Sequence, residues 1–409
     1  MLALGVQELV EAHDRWRLKE CLNLIPSENV TSLVVRSILA SDLGHRYSLR
    51  PEEAPDFPTP GDNFYCGTRY ADEIERLGEE LAKRLFGCKH AFLQPLSGHV
   101  AAFIMLASLT SRGDTVMCIS ERDGGYPGYE PVGLPSYLGL KVAYLPFDRA
   151  ECDLAYEACE EAVRRARPRL VILGASTILF PYDLRRVREF CDEVGAFLGY
   201  DGSHVLGLIA GRQFQPDPFK AGVDMLVGST HKTFFGPQGG LVLTDDDELA
   251  ERVRHHLKLK TLDNPHLNRV AALARALEEM SEHGEAYARQ VVANARALAK
   301  ALDELGLPVL YGHKGYTTSH QVLLDTAQLE RELGRPYWRL ASLLEEANII
   351  VDRAGRLGTQ ELTRWGMGED AMREVAELLA GVLRGRLAPE EARRKVLSLR
   401  ERYAELRFC

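Results

Sequence analysis

No run of about 20 uninterrupted apolar residues, the length a membrane helix requires, occurs anywhere in this 409-residue chain. A bilayer-spanning protein is therefore not expected. The N-terminal stretch MLALGVQELVEAHDRWR also lacks the basic start and small-residue cleavage site of a secretory leader, and Glu8 interrupts its short apolar opening. Cys-x-x-Cys pairs are absent. The eight cysteines (Cys21, Cys66, Cys88, Cys118, Cys152, Cys159, Cys191 and Cys409) are scattered, mostly among apolar residues. They read as reduced, small hydrophobes of a cytoplasmic protein, not as a disulfide framework or a metal cage. Excess positive charge is missing too. A net charge of -9 gives no electrostatic reason to expect a nucleic-acid partner, and arginine pairs such as Arg393–Arg394 read as solvated helix faces. Internal repeats and low-complexity segments are not present.

What is present points to an α/β enzyme. The length exceeds what one compact core organises, so two packed domains are expected. Short continuous apolar runs recur at Thr115–Ile119, Leu170–Leu173, Ala196–Tyr200 and Met225–Val227. Each ends in small or polar residues, as buried parallel strands with functional groups at their carboxyl ends do. Before them lie helical patterns, Ala71–Phe86 stopped by Gly87, and Val100–Leu109 opened by Ser97–Gly98–His99. After about Pro265 come two long helical patterns, Val270–Met280 and Ala286–Leu305, then a smaller α+β unit. That unit has strands near Ser319–Leu324 and Asn348–Val351, helices at Pro336–Ala347 and Asp370–Gly385, and a tail helix within Pro389–Leu406. The four-proline stretch Leu49–Gly61 is a loop of the length that often carries function.

The strongest chemical pattern is Ser229-Thr230-His231-Lys232-Thr233-Phe234-Phe235-Gly236-Pro237-Gln238-Gly239-Gly240. An apolar strand delivers Lys232 into a glycine-rich turn, where partial desolvation would free its amine for imine chemistry. Pyridoxal 5′-phosphate (PLP) held as a Schiff base needs a carboxylate for its pyridine nitrogen, a phosphate cradle and a group on the ring face. Asp201 ends one strand, with His204 close behind. Ser97–Gly98–His99 opens a helix, where unpaired N–H groups and the helix dipole favour a phosphate dianion. Phosphate turn, aspartate and lysine follow in that order, each at a strand end.

These blocks resemble the serine hydroxymethyltransferase family over most of the chain. Leu24-Ile25-Pro26-Ser27-Glu28-Asn29 is similar to its N-terminal substrate segment, and Gln94-Pro95-Leu96-Ser97-Gly98-His99 to its phosphate loop. Asp201-Gly202-Ser203-His204-Val205-Leu206-Gly207-Leu208 resembles its pyridinium-aspartate strand, and Thr230-His231-Lys232-Thr233 its Schiff-base motif. The resemblance implies a fold-type-I PLP-dependent transferase: a large domain with a mostly parallel seven-stranded sheet and a smaller α+β C-terminal domain. The expected division is an N-terminal segment 1–46 packing on the small domain and partner, a PLP domain 47–265, and a linker helix with the small domain over 266–409. By the same resemblance Ser97, Gly98 and His99 hold the phosphate, Tyr126 stacks on the ring and Ser176 contacts the ring hydroxyl. Asp201 and His204 flank the cofactor, and Lys232 carries it beside His231. Arg356 clamps the substrate carboxylate, Ser27 lines the substrate site, and Tyr65 reaches the partner's active site in a homodimer with shared sites.

Four departures from the family bear on the reaction. Leu49 stands at the position of the family's catalytic glutamate, with Glu52 and Glu53 following as substitutes; that carboxylate handles the hydroxymethyl proton of serine. Only Asp352–Gly355 separates Val351 from Arg356, where the family has a longer loop that helps bind folate. Thr261-Leu262-Asp263-Asn264-Pro265-His266 replaces a glycine-rich segment reaching the neighbouring subunit's phosphate, a task left to His266 or Asn264. Gln238 replaces an arginine of the Gly-Pro-x-Gly-Gly turn. The expected activity is therefore a specialised lyase or transaldolase acting without folate on an α-amino acid with an unusual side chain, at a Cα–Cβ or Cβ–heteroatom bond. Folate-dependent serine–glycine interconversion is the alternative, and an aminotransferase or a decarboxylating or oxidatively deaminating variant is a third. A composition rich in Ala, Arg, Leu and Gly suits a GC-rich bacterium, where such paralogues serve secondary metabolism.

Overall fold

A computed structural model of the protein describes residues 5–409 except 54, 56, 58, 60, 216 and 259. The loop expected over Leu49–Gly61 thus lies partly outside the described residues. The chain forms two compact units, Asn29–Glu285 and the combination of Met1–Glu28 with Ala286–Cys409. Both boundaries expected from sequence, after residues 46 and 265, fall inside the first of these. Residues 29–46 belong there because their polar groups are tied to it: Ser32 Oγ donates to Glu279 Oε1 at 2.6 Å, and Asn268 Nδ2 donates to Leu39 O at 2.6 Å.

The larger unit is built on one seven-stranded sheet. In chain order its strands are β1 (His90–Phe92), β2 (Thr115–Cys118), β3 (Lys141–Tyr144), β4 (Leu170–Leu173), β5 (Phe197–Asp201), β6 (Met225–Ser229) and β7 (Gly240–Thr244). Their spatial order is β1-β7-β6-β5-β4-β2-β3. Only β7 runs against its neighbours, pairing antiparallel with both β6 and β1. The expected mostly parallel seven-stranded sheet is present. The central strands are apolar on both faces because both faces are covered: all four residues of β4 and all five of β6 are buried. Two helices matter for the site. In α1 (Arg69–Phe86) the buried face carries Ala71, Asp72, Glu75, Gly78, Ala82 and Phe86, while Leu77 is exposed, and Gly87 ends the helix at φ +67°, a left-handed conformation that glycine adopts without steric cost. In α2 (Gly98–Leu109) the sequence is apolar all round, and Ala101, Ile104, Met105 and Leu106 are fully buried.

The second unit pairs Leu22–Asn23 in parallel with Ile349–Ile350, and Gln321–Leu323 antiparallel with Arg356–Gly358. Helices Tyr337–Glu346, Glu369–Leu383 and Pro389–Arg402 enclose its core, which includes Leu302, Leu344, Val375, Leu379 and Val396. The two long helical patterns expected after Pro265 are one helix, α3 (Leu267–Glu304), 38 residues long. Gly284, which lies between the two patterns, costs a helix interior only about 1 kcal/mol relative to alanine. That is too little to end a helix anchored on one side by Leu277 and Met280 and on the other by Tyr287 and Val291, all buried. Among the described residues no helix is long and apolar enough to cross a membrane.

Candidate active site

Strands β5 and β6 run parallel, so their carboxyl ends deliver Asp201 and Ser229 to the same edge of the sheet. Helix α2 begins at that edge. Its Gly98 approaches so closely that a Cβ there would stand 2.1 Å from Ser229 Oγ, which excludes any side chain. The turn after β6 is fastened to the segment after β5, since Thr233 Oγ1 donates to His204 O at 2.8 Å and accepts from Gly207 N at 3.0 Å. A cavity with about 350 Å³ of empty volume results. Gly98, His99, Tyr126, Ser176, Asp201, His204 and Lys232 all line it, together with Ala175, Ser203 and Ser229. Seven residues singled out from sequence thus meet in one place.

The cavity suits a phosphorylated pyridine. Ser97 caps α2, its Oγ accepting from Val100 N at 3.1 Å. The N–H groups of the first helical turn have no partners within the helix, and together with the helix dipole they suit a phosphate. Asp201 offers a buried carboxylate whose oxygens are separately held. Ser203 N donates to Oδ1 at 3.0 Å and Tyr129 Oη donates to Oδ2 at 2.9 Å. Tyr126 Oη lies 2.8 Å from His99 Nδ1, and its ring meets that of Tyr129 edge-on at 5.5 Å between centroids.

Lys232 lines the cavity, and its carbonyl accepts from Asn29 Nδ2 at 2.6 Å. Its neighbour His231 is not among the lining residues. Burial, with the Lys232 charge beside it, pushes the His231 pKa down to about 4, so the imidazole is neutral near pH 7. His231 Nδ1 is buried without a hydrogen-bond partner among the described residues.

Other expected residues lie elsewhere. Tyr65 does not line the cavity; it is exposed, with its ring 5.5 Å from Tyr47 and 5.2 Å from Phe64. Arg356 and Ser27 belong to the other unit. There Arg356 Nε donates to Asp352 Oδ2 at 2.8 Å, and the other oxygen of Asp352 accepts from the backbone N–H groups of Ala354 and Arg356. The short turn is therefore an aspartate-centred loop that orients the guanidinium. Ser27 is half-buried in a turn.

Three expectations about the departures are altered. Leu49 is buried, and its backbone is fixed by Asn63 Oδ1 at 3.2 Å and Phe64 N at 3.0 Å. Glu53, offered as a replacement carboxylate, is buried in an ion-pair cluster with Lys258 and Arg50. Although burial opposes it, Lys258 and Arg50 hold the Glu53 carboxyl below its usual range. Glu52 is half-exposed and pairs with Arg50 at 3.4 Å. Asn264 has both ends of its amide engaged within the chain, accepting from Ser48 N at 3.3 Å and donating to Arg46 O at 3.1 Å. A guanidinium does lie at the Gln238 turn: Arg269, buried on α3, packs so tightly that a Cβ on Gly239 would be 2.4 Å from its Nη1.

Sequence reasoning missed Tyr129, Ser203 and Ser229. Ser203 was visible as the second residue after Asp201. Tyr129 carried a weaker signal, a second tyrosine three residues after Tyr126 in Gly124-Gly125-Tyr126-Pro127-Gly128-Tyr129. Burial pushes Cys21, Cys88, Cys118, Cys159 and Cys191 up to about 12, and no group of three or more metal-ligating side chains occurs among the described residues.

The sequence profile of the serine hydroxymethyltransferase family matches residues 5–379. The chain is 44% identical to a serine hydroxymethyltransferase of Methanopyrus kandleri, over 99% of this chain and 94% of that protein. It is 41% identical to one of Methanocaldococcus jannaschii, over 96% and 92% respectively. Among solved structures it is similar to an L-threonine transaldolase of Pseudomonas fluorescens, with a TM-score of 0.88 and 27% identity over 98% of this chain and 92% of that one.

Proposed function

The chain belongs to the serine hydroxymethyltransferase family of PLP-dependent enzymes, and from that premise we propose that it makes or breaks the Cα–Cβ bond of a β-hydroxy-α-amino acid in a lyase or transaldolase reaction that does not use folate. The observation that carries this reading is the buried Leu49 at the position of the family's proton-handling glutamate, with Glu53 committed to Lys258 and Arg50. A reaction that releases the aldehyde fragment, and gives the remaining glycine fragment either a proton or a bond to an acceptor aldehyde, does not need a carboxylate to assist transfer of a hydroxymethyl group to a pterin. The similarity to a threonine transaldolase agrees with it.

In this reading Lys232 holds PLP as a Schiff base, Asp201 contacts the pyridine nitrogen, Tyr126 covers a ring face, and Ser97, Gly98 and His99 receive the phosphate. Bound PLP supplies an electron sink that makes the bonds at the substrate's α-carbon labile. The chain selects among those bonds by orienting the substrate. Arg356, aimed by Asp352, takes the α-carboxylate, and with that group fixed the remaining substituents have one orientation each. Arg356→Ala is expected to lower kcat/KM by about 10- to 100-fold, the loss of one or two charge-assisted hydrogen bonds. Steady-state kinetics at varied amino-acid concentration check this, and an unchanged KM and kcat/KM would remove Arg356 from the site.

Folate-dependent serine–glycine interconversion is the second reading, favoured by the 44% identity to the Methanopyrus kandleri enzyme. One assay separates the two. The purified holoenzyme is given L-serine with tetrahydrofolate, and in parallel L-threonine or other β-hydroxy amino acids with and without an acceptor aldehyde. Glycine from threonine, with little from serine and folate, is the expected outcome. Efficient glycine formation from serine only when tetrahydrofolate is present would sink the folate-free reading.

A further inference from the structure

We propose that Tyr129 is a positioning residue that holds the Asp201 carboxylate in the orientation required to engage a pyridine N–H. The proposal rests on the PLP reading above and concerns a residue the family resemblance did not single out. Asp201 is buried at the end of β5, and its oxygens are claimed from two different elements. Ser203, in the same loop, donates a backbone N–H to Oδ1 at 3.0 Å, and Tyr129, from the segment after β2, donates its phenol to Oδ2 at 2.9 Å. A carboxylate with a donor on each oxygen cannot turn about its Cβ–Cγ bond without breaking one of the two. Each oxygen still has a second lone-pair direction with which to accept.

The phenol is built to remain a donor. Tyr129 is fully buried, and burial, reinforced by the adjacent Asp201 charge, holds its pKa well above the usual tyrosine value. It therefore keeps its proton throughout the pH range in which the protein is expected to be folded. Its ring is also fixed, buttressed edge-on by Tyr126 at 5.5 Å, while Tyr126 is itself tied to His99 Nδ1 at 2.8 Å. The cavity wall and the grip on Asp201 thus form one connected array. A shift of the ring-face residue Tyr126 is passed to the carboxylate through Tyr129.

Tyr129→Phe deletes only the phenolic oxygen. In that variant one carboxylate oxygen loses its donor and the group is free to rotate. The test is made on holoenzyme reconstituted with PLP labelled with ¹⁵N in the ring. Tyr129→Phe is expected to move the ring-nitrogen resonance toward that of an unprotonated pyridine and to weaken PLP retention about tenfold. Tyr129→His, whose ring N–H is also a donor, is expected to restore part of both. A role confined to packing would lower the melting temperature and leave the ring-nitrogen signal where it is. Wild-type signal and wild-type retention in Tyr129→Phe overturn the inference while the PLP reading stands. Should Tyr129→Phe not fold, Tyr129→His carries the test, and a ring-nitrogen signal shifted fully to the unprotonated value there overturns it. A wild-type chain that retains no PLP overturns the reading beneath, and the inference with it.

Discussion

Lys232→Ala is expected to abolish the Schiff-base absorbance of added PLP and to reduce turnover by about a thousandfold or more, the scale on which loss of a covalent-catalysis group acts. The position explains why the effect is local. Lys232 lines the cavity, and the turn that carries it is held by groups the substitution does not touch: Thr233 Oγ1 on His204 O, Asn29 Nδ2 on the Lys232 carbonyl, and Thr230 N on Gly239 O at 3.1 Å. The melting temperature of the apo-protein should therefore stay close to that of wild type. Lys232→Arg is the sharper control. It keeps the charge and most of the length, but a guanidinium does not give up its proton near neutral pH and forms no imine. Both variants are expected to lack the absorbance band, and the arginine variant is expected to keep some phosphate-mediated PLP binding. Substantial turnover by either variant would show that Lys232 is not the amine that carries the cofactor. His231 cannot replace it, because its imidazole is neutral and an imidazole nitrogen does not make a stable imine.

How much of this was legible in the sequence depends on whether a residue's role is local. Lys232, Asp201 and Ser97 stand at strand or helix ends marked by abrupt changes from apolar runs to small and polar residues, so period and punctuation placed them. The parallel sheet was readable for the same reason: Leu170–Leu173 and Met225–Val227 are too short and too uniformly apolar to be anything but doubly covered strands. The continuity of α3 was not readable. Its central Ser281–Glu285 is polar and contains a glycine, and only the burial of Tyr287 and Val291 beyond it shows that the helix pays the small local cost. The limits of the two units rest on distant contacts too. Residues 29–46 have no strong periodicity and are assigned by contacts with Glu279 and Asn268, far away in sequence. Tyr129 carried only a weak signal because its meaning lies in a partner 72 residues distant. Glu53 misled for a physical reason: next to a missing glutamate it looked like a substitute, but its fate was decided by Lys258.

That cluster carries the second large expectation. Lys258→Met should destabilise the larger unit by about 3–5 kcal/mol, the usual cost of leaving a buried charge without its partner. Lys258 donates to Glu53 and also to Ser48 O at 3.0 Å, so it ties the start of the proline-rich loop directly to its own segment. Arg50 pairs with Glu53 at 3.0 Å and with Glu79 at 2.5 Å, and Gln94 Nε2 donates to Glu53 Oε1 at 2.9 Å. Without the ammonium, the carboxylates outnumber the cations around the buried Glu53. The double variant Lys258→Met with Glu53→Leu removes both charges and is expected to recover much of the loss, which denaturant unfolding of the set would measure. No recovery would mean that packing, not charge, is what Lys258 contributes.

The same cluster sets a pH dependence. Burial and the nearby Glu53 charge push Glu75 up to about 8, from the usual 4.5. The proton is bound more tightly in the folded state than in the unfolded chain. The stabilisation this provides is therefore complete below about 4.5 and is lost as pH rises through about 8. The neutral Glu75 also keeps the balance of Arg50 and Lys258 against Glu53 and Glu79, and ionising it adds an uncompensated charge. Glu75→Gln, which fixes the neutral form, is expected to flatten that part of the stability profile. Because Ser48 Oγ donates to Glu75 Oε2 at 3.2 Å and accepts from Asn63 Nδ2 at 3.0 Å, the loosening on the alkaline side should begin at the segment that presents Leu49 and Tyr65. The protection of the Leu49, Phe64 and Tyr65 amides, held by this array, relative to their intrinsic exchange rates would then fall above about pH 8 in wild type and not in Glu75→Gln.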